Sequence, residues 1–377
     1  MTDLHSLETP ALLLDRACMA RNIQRMQAQV DALGCRLRPH VKTSKSWPVV
    51  QAQRAAGAAS ITVSTLKEAE QFFAQGERDI LYAVALAPNK VAHALDLRAR
   101  GCDLAVIVDS VAAARAVASA VASAGMPLPT LVEIDSDGHR SGVRPGDPLL
   151  LEIGQVLHAA GSLAGVMTHA GGSYDLDTPQ ALQAMAAQER DAVLACAAAL
   201  RAAGLPCPRV SVGSTPTALS ATDLAGVTEV RAGVYVFFDL VMAGIGVCSE
   251  RDIALSVLTS VIGHQPAKGW IIVDAGWMAM SRDRGTAKQA VDQGYGAVCA
   301  ADGQPLPTLW MGSANQEHGI VSMRDGSCPA DLPARFPVGT LLRVLPNHAC
   351  ATAAQHDAYR VLDGGAIVDT WPRFSGW

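Results

Sequence analysis

Lys42 lies in Arg38-Pro39-His40-Val41-Lys42-Thr43-Ser44-Lys45, at the end of a short extended run near the N-terminus. A lysine there can point into a barrel mouth, where its amine has little structural use. Its chemical use is a Schiff base with a carbonyl cofactor or substrate. Near the other end of the chain, Asn347-His348-Ala349-Cys350 sets an imidazole two residues from a thiol. In an extended segment residues two apart face the same side, so His348 and Cys350 are expected to present two preferred zinc ligands together. Two protein ligands leave positions for water and substrate, which suits a Lewis acid rather than a structural metal. The bland alternative is a small buried cysteine beside a loop histidine. Asn315-Gln316-Glu317-His318-Gly319 is a third polar cluster. Glu317 or His318 can complete a metal shell or work as acid or base, or the cluster is only a solvated turn.

Further polar groups follow short apolar runs. Arg140 ends Asp135-Ser136-Asp137-Gly138-His139, and its guanidinium suits a phenolate or carboxylate oxygen. The other reading is an exposed loop arginine. Tyr174, after His169-Ala170-Gly171-Gly172-Ser173, can pack on a cofactor ring or sit as a half-buried loop aromatic. Gly213-Ser214-Thr215 combines small residues with two hydroxyls. Beside Gly233-Val234, that turn can cradle a phosphate, or be an ordinary strand-to-helix turn. Asp274-Ala275-Gly276 ends another apolar run and reads as a tight turn. The convergence of these clusters at strand ends says more than any one of them.

Residues 11–240 alternate short apolar runs with alanine-rich amphipathic stretches, beginning at Ala11-Leu14. Repeated strand–helix units imply a parallel sheet, and about eight of them fit a closed (β/α)₈ barrel, whose strand ends gather functional groups. No glycine-rich phosphate turn follows the first strand, as an open doubly wound sheet would want. Thr178, Pro179 and Gly204 punctuate a long helix between them. After about residue 245 the runs become β-rich. The expected division is a barrel over residues 8–244 and a β-domain over residues 245–377, with residues 1–7 packing with the latter.

Of the 377 residues, 50% are hydrophobic and 17% charged, which supports a large core and argues against disorder. A net charge of −5 without a basic run argues against nucleic acid or an anionic membrane as partner. Nine cysteines, an odd number with no Cys-x-x-Cys pair, suggest reduced thiols. With no signal-like start and no membrane-length apolar run, cytoplasmic residence is the expectation.

The segments RPHVKTSK, EIDSDGHRSGV, VSVGSTPT, VRAGVYVFFD and LPNHAC together resemble the D-serine dehydratase-like and D-threonine aldolase family of fold-type III pyridoxal-phosphate enzymes. The resemblance runs from Leu7-Glu8-Thr9-Pro10 to His348-Ala349-Cys350. It implies an α/β fold, an alanine-racemase-like (β/α)₈ barrel plus a C-terminal β-domain, as a homodimer. Lys42 would be the Schiff-base lysine and Arg140 would approach the cofactor's O3′. Tyr174, Ser214, Thr215, Gly233 and Val234 would hold the pyridoxal 5'-phosphate ring and phosphate. Arg231 would lie near the pyridine nitrogen, a looser carry-over from the racemases. His348 and Cys350 would bind a divalent metal, zinc foremost, with manganese or cobalt as alternatives. The implied activity is metal-assisted dehydration of a D-3-hydroxy amino acid, foremost threo-3-hydroxy-D-aspartate to oxaloacetate and ammonia. D-Serine dehydration and aldol cleavage remain alternatives. His-x-Cys at the metal pair favours the dehydratases, since bacterial D-threonine aldolases tend to carry His-x-Asp. A racemase has no evident need of the pair, and a non-catalytic carrier none of the β-domain.

Overall fold

Short runs of β-branched and aliphatic residues, each followed by an amphipathic helix, build an eight-stranded parallel sheet in the computed structural model, which describes residues 3–377. Its strands are Arg36–Leu37, Ile61–Val63, Asp79–Ala85, Asp103–Val108, Thr130–Ile134, Leu163–Thr168, Arg209–Val212 and Glu229–Val230. Their order runs from Arg36–Leu37 through Glu229–Val230 and back along the chain to Ile61–Val63. The two edges meet: His40 and Thr62 form a parallel bridge, and the Thr62 amide donates to the Pro39 carbonyl at 2.8 Å. The sheet is therefore a closed ring. A core cluster crosses neighbouring strands through Leu81, Ile107, Leu131 and Met167, because strands covered on both faces bury nearly every side chain.

The longest helix, Pro179–Ala202, starts where its punctuation says. The Thr178 hydroxyl accepts from the Ala181 amide, and Pro179 fills the first turn, where its missing N–H costs nothing.

A second sheet has nine strands. Leu255–Gln265, Trp270–Val273, Gly319–Met323, Pro305–Ala314, Gly296–Ala300 and Leu341–Pro346 pair antiparallel in that order, and the last returns to the first to close a ring. Ala11–Asp15 extends it, antiparallel to Leu255–Gln265 and parallel to Ala358–Asp363, which pairs in turn with Ala366–Pro372. Ala11-Leu14 is thus not the first barrel strand. All four of these residues are buried. A fully apolar strand suits either sheet, and its pairing, not its pattern, decides which it joins.

Two compact units follow, residues up to Asn22 with Val234–Ser375, and Ile23–Gly233 with the last two residues. These limits differ from a division at residues 8–244 and 245–377. Leu4 and Leu7 pack with Ala11, Leu13, Leu258, Leu341 and Ile367, while residues 1–2 lie outside the described part. No helix among the described residues is long and apolar enough to cross a membrane.

Candidate active site

In the barrel unit, Lys42 sits in the turn that follows the His40 bridge, and its side chain is exposed. The turn closes with the Lys45 amide donating to the Val41 carbonyl at 2.8 Å. Lys45 has φ 44°, and its ammonium pairs with buried Glu68 at 3.0 Å. Glu68 stands on helix Leu66–Ala74, capped by Thr65. The Lys42 amine is thereby carried on a pinned loop. Arg38, in the same motif, is structural: buried, it bonds Glu229 at 2.9 Å and Asp79 at 2.8 Å.

Arg140 and Tyr174 border one cavity of about 410 Å³ with His139, His169, Gly171 and Asp175. Arg140 is half-exposed and lies 3.6 Å from buried Glu133, which also accepts from the Ser141 hydroxyl. Burial pushes the Glu133 carboxyl up, and Arg140 opposes it. The Asp137 carboxylate accepts from the Gly172 amide at 2.7 Å and so ties the Arg140 loop to the Tyr174 loop. A Cβ on Gly171 would lie 2.3 Å from the His139 ring.

His40 and His169 complete this cluster, and sequence reasoning gave neither a role. Burial, then the charges of Lys42, Arg231 and Arg140, lowers the His40 imidazole well below its usual range. Burial and Arg140, with Lys42 and Arg231, push His169 down to about 3. Both rings are therefore neutral at physiological pH. The His169 Nδ1–H donates to the Gly213 carbonyl at 2.6 Å, and its ring stands 6.1 Å from that of Tyr174. Arg231 is buried, donates to the Ser211 hydroxyl at 2.8 Å and to the Thr168 carbonyl, and burial lowers it to about 10, still a cation.

Ser214 and Thr215 are buried where helix Thr215–Ser220 begins. Ser214 and Thr217 form a capping box, and the Ser214 hydroxyl also meets that of Ser173 at 2.9 Å. Gly213 has φ 144°, and a Cβ there would lie 2.6 Å from the Arg231 amide nitrogen. On Gly233 it would lie 2.9 Å from the His40 carbonyl. Val234 opens the turn Val234–Val236 and is counted with the second unit.

The residues present fit a pyridoxal phosphate. Lys42, Arg140 and Arg231 concentrate positive charge where an anionic cofactor needs it. The His40 Nδ1 is a buried ring nitrogen without a partner among the described residues, as expected of an atom left for a ligand.

In the second unit, His348 caps helix Ala349–Ala353 and Cys350 lies in it. The pair is set by this turn, not by strand alternation, because the backbone goes helical between the two residues. Buried Asp239 holds the turn by accepting the Ala349 amide at 2.9 Å. Asn347 anchors its other flank through the Gly294 carbonyl at 2.7 Å. The His348 Nδ1 meets the Asp283 carboxylate at 2.6 Å. Burial alone would lower His348, but Cys350, Asp283 and Asp239 outweigh it and raise the imidazole far above its ordinary range. A proton shared among an imidazole, a thiol and a carboxylate is what a divalent cation displaces, and a carboxylate behind the far nitrogen is the usual support of a metal-bound histidine. The donor set therefore fits a metal. Glu317 and His318 lie exposed in a hairpin turn where Asn315 and His318 pair their backbones. No group of three or more histidine, cysteine or acidic residues among the described ones is placed to hold a metal. Asp274, bonded to Thr9, Thr259 and the Ser260 amide, is structural.

Residues 14–241 match the model of the alanine racemase N-terminal domain, and residues 254–362 that of a putative serine dehydratase domain. The chain belongs to this alanine racemase-like family. The family member D-threo-3-hydroxyaspartate dehydratase of Delftia sp. (strain HT23) is 64% identical over 376 residues, 99% of either chain. Its solved structure superposes with TM-score 0.99 and covers 100% of both chains. A cysteine-to-alanine variant of that dehydratase, solved in the metal-free form, also gives 0.99 at 63% identity, covering 100% of both chains. A D-threonine aldolase of Arthrobacter sp. is 30% identical over 377 residues, 98% of this chain and 92% of its own.

Proposed function

We propose that the chain is a pyridoxal-phosphate- and metal-dependent dehydratase, a carbon–nitrogen lyase that converts threo-3-hydroxy-D-aspartate to oxaloacetate and ammonia. The observation that carries this reading is the His348–Cys350 pair backed by Asp283. Where the cofactor already serves as electron sink, proton transfer at an α-carbon needs no metal, whereas a departing hydroxide is helped by one. The 64% identity to the Delftia dehydratase supports dehydration over the other reactions of the family.

When bound, the cofactor supplies a carbonyl for amines and an electron sink for charge left on the α-carbon. Lys42 would hold it, and its free Nζ would accept the α-proton. Arg140 would face the ring's phenolate oxygen, and Tyr174 with His169 would border the ring. Neutral His169 would do so without competing for that proton. Ser214, Thr215, Gly233 and Val234 would close around the phosphate. His348 and Cys350 would hold the metal, zinc by ligand preference, and it would supply Lewis acidity to the β-hydroxyl. Nine cysteines without a disulfide support residence in a reducing cytoplasm. A homodimer completes the reading and is checked by sedimentation.

The test is a panel of D-serine, D-threonine and the four 3-hydroxyaspartate stereoisomers, with ammonia and aldehyde both measured, before and after EDTA. We expect ammonia and a 2-oxo acid from threo-3-hydroxy-D-aspartate, loss of rate on chelation, and recovery with Zn²⁺. An aldehyde plus an amino acid would instead assign aldol cleavage, the activity named for the Arthrobacter relative. Full-rate elimination in EDTA would remove the metal's role.

A further inference from the structure

Helix Pro179–Ala202 carries one acid on its barrel-facing side, Glu189, and its side chain is buried. Its Oε1 accepts two backbone amides from different loops, Ala170 at 2.8 Å and Gly213 at 3.2 Å. The first opens the loop that carries Tyr174. The second is the glycine of the Gly213-Ser214-Thr215 turn. The Thr217 side chain also bonds Glu189, and Thr217 is the partner of Ser214 in the capping box. The same two loops touch again where His169 donates to the Gly213 carbonyl and Ser173 meets Ser214. Burial pushes the Glu189 carboxyl up, and these bonds with the charge of Arg231 oppose it. A buried carboxylate is an expensive way to join two amides. It is retained where the register of the two segments matters.

We propose that Glu189 is the positioning residue of the cofactor cradle, one carboxylate that locks the Tyr174 loop and the Gly213–Thr215 turn in the mutual placement a pyridoxal phosphate requires. It touches neither cofactor nor substrate and acts through the Ala170 and Gly213 amides. The inference rests on the cofactor reading above and adds to it a residue outside every motif that suggested it.

The test titrates pyridoxal phosphate into full-length apoenzyme, with Tm, kcat and KM measured on the same preparations. Glu189→Ala leaves two buried amides without an acceptor and should weaken cofactor binding by about tenfold or more. Glu189→Gln keeps an oxygen for both amides and an NH₂ that Thr217 can accept, and should stay within about threefold of wild type. Glu189→Asp, should the alanine variant not fold, retracts the oxygen by one methylene and should fall between them. A merely structural role would lower Tm and leave the cofactor Kd of the folded protein, and its rescue by glutamine, unmoved. Wild-type Kd in folded Glu189→Ala or Glu189→Asp would overturn the inference alone. An apoenzyme that takes up no pyridoxal phosphate would overturn both it and the cofactor reading.

Discussion

The His348 imidazole illustrates how far one residue's role depends on a neighbour remote in sequence. Asp283 lies 65 residues upstream and fixes the ring through Nδ1, which turns the other nitrogen toward the proposed metal position. Asp283→Asn keeps the shape of that partner but removes its charge. Metal affinity, measured by zinc competition against a chelator, should fall about 10- to 100-fold, while pyridoxal phosphate uptake stays as in wild type. Unchanged affinity would leave Asp283 a bystander. His348 and Cys350 were singled out by residue type, the helical turn between them was not foreseen, and Asp283 gave no signal at all. It stands in Ser281-Arg282-Asp283, an irregular stretch whose only local signature is polarity. His40 and His169 were visible within motifs, but their neutrality follows from burial and then from surrounding charge, which no local pattern reports.

Among the elements, the turn that bears Lys42 depends on helix Leu66–Ala74. Lys45, at a positive φ, reaches Glu68, which also accepts the Ser64 amide at 3.1 Å. Removing one partner of such a pair leaves a buried charge uncompensated, at a cost of about 3 kcal/mol. Lys45→Ala should lower Tm and cut kcat by about tenfold through disorder of the Lys42 turn. Adding Glu68→Gln should restore much of the Tm, and a double variant no more stable than Lys45→Ala would show that the ion pair is not the cause. Helix Pro179–Ala202 was legible to within a residue because its signals are local: a threonine cap, a proline after it, a glycine beyond it. Strands Gly296–Ala300, Pro305–Ala314 and Gly319–Met323 escaped the sequence reading. The middle one holds two prolines and is exposed along much of its length, so neither period nor β-propensity marks it.

For the whole molecule, the concentration of charge in the barrel has a consequence for acid stability. His40 and His169 are held neutral, first by burial and then by Lys42, Arg140 and Arg231. An unfolded chain protonates its histidines near about 6.5. Below that pH the unfolded state binds more protons at these two rings than the folded one, so their contribution to stability falls as pH drops from about 6.5 toward 3 and is fully present above that window, while the raised His348 acts in the opposite sense. In apoenzyme melts, Tm relative to His169→Asn should fall as pH drops from 7 to 5. Parallel slopes would exonerate the imidazole. The chain by itself determined the strand–helix alternation and the β-rich remainder, and it marked Lys42 and the imidazole–thiol pair as candidates, because these are written in local periodicity and residue type. Only the tertiary structure decided that Ala11–Asp15 belongs to the antiparallel sheet, that His40 and Thr62 close the ring, and that Glu189 bonds the Ala170 amide and Asp283 the His348 ring. Strand pairing and buried hydrogen bonds join residues far apart in sequence, so a reading that proceeds window by window has no term for them.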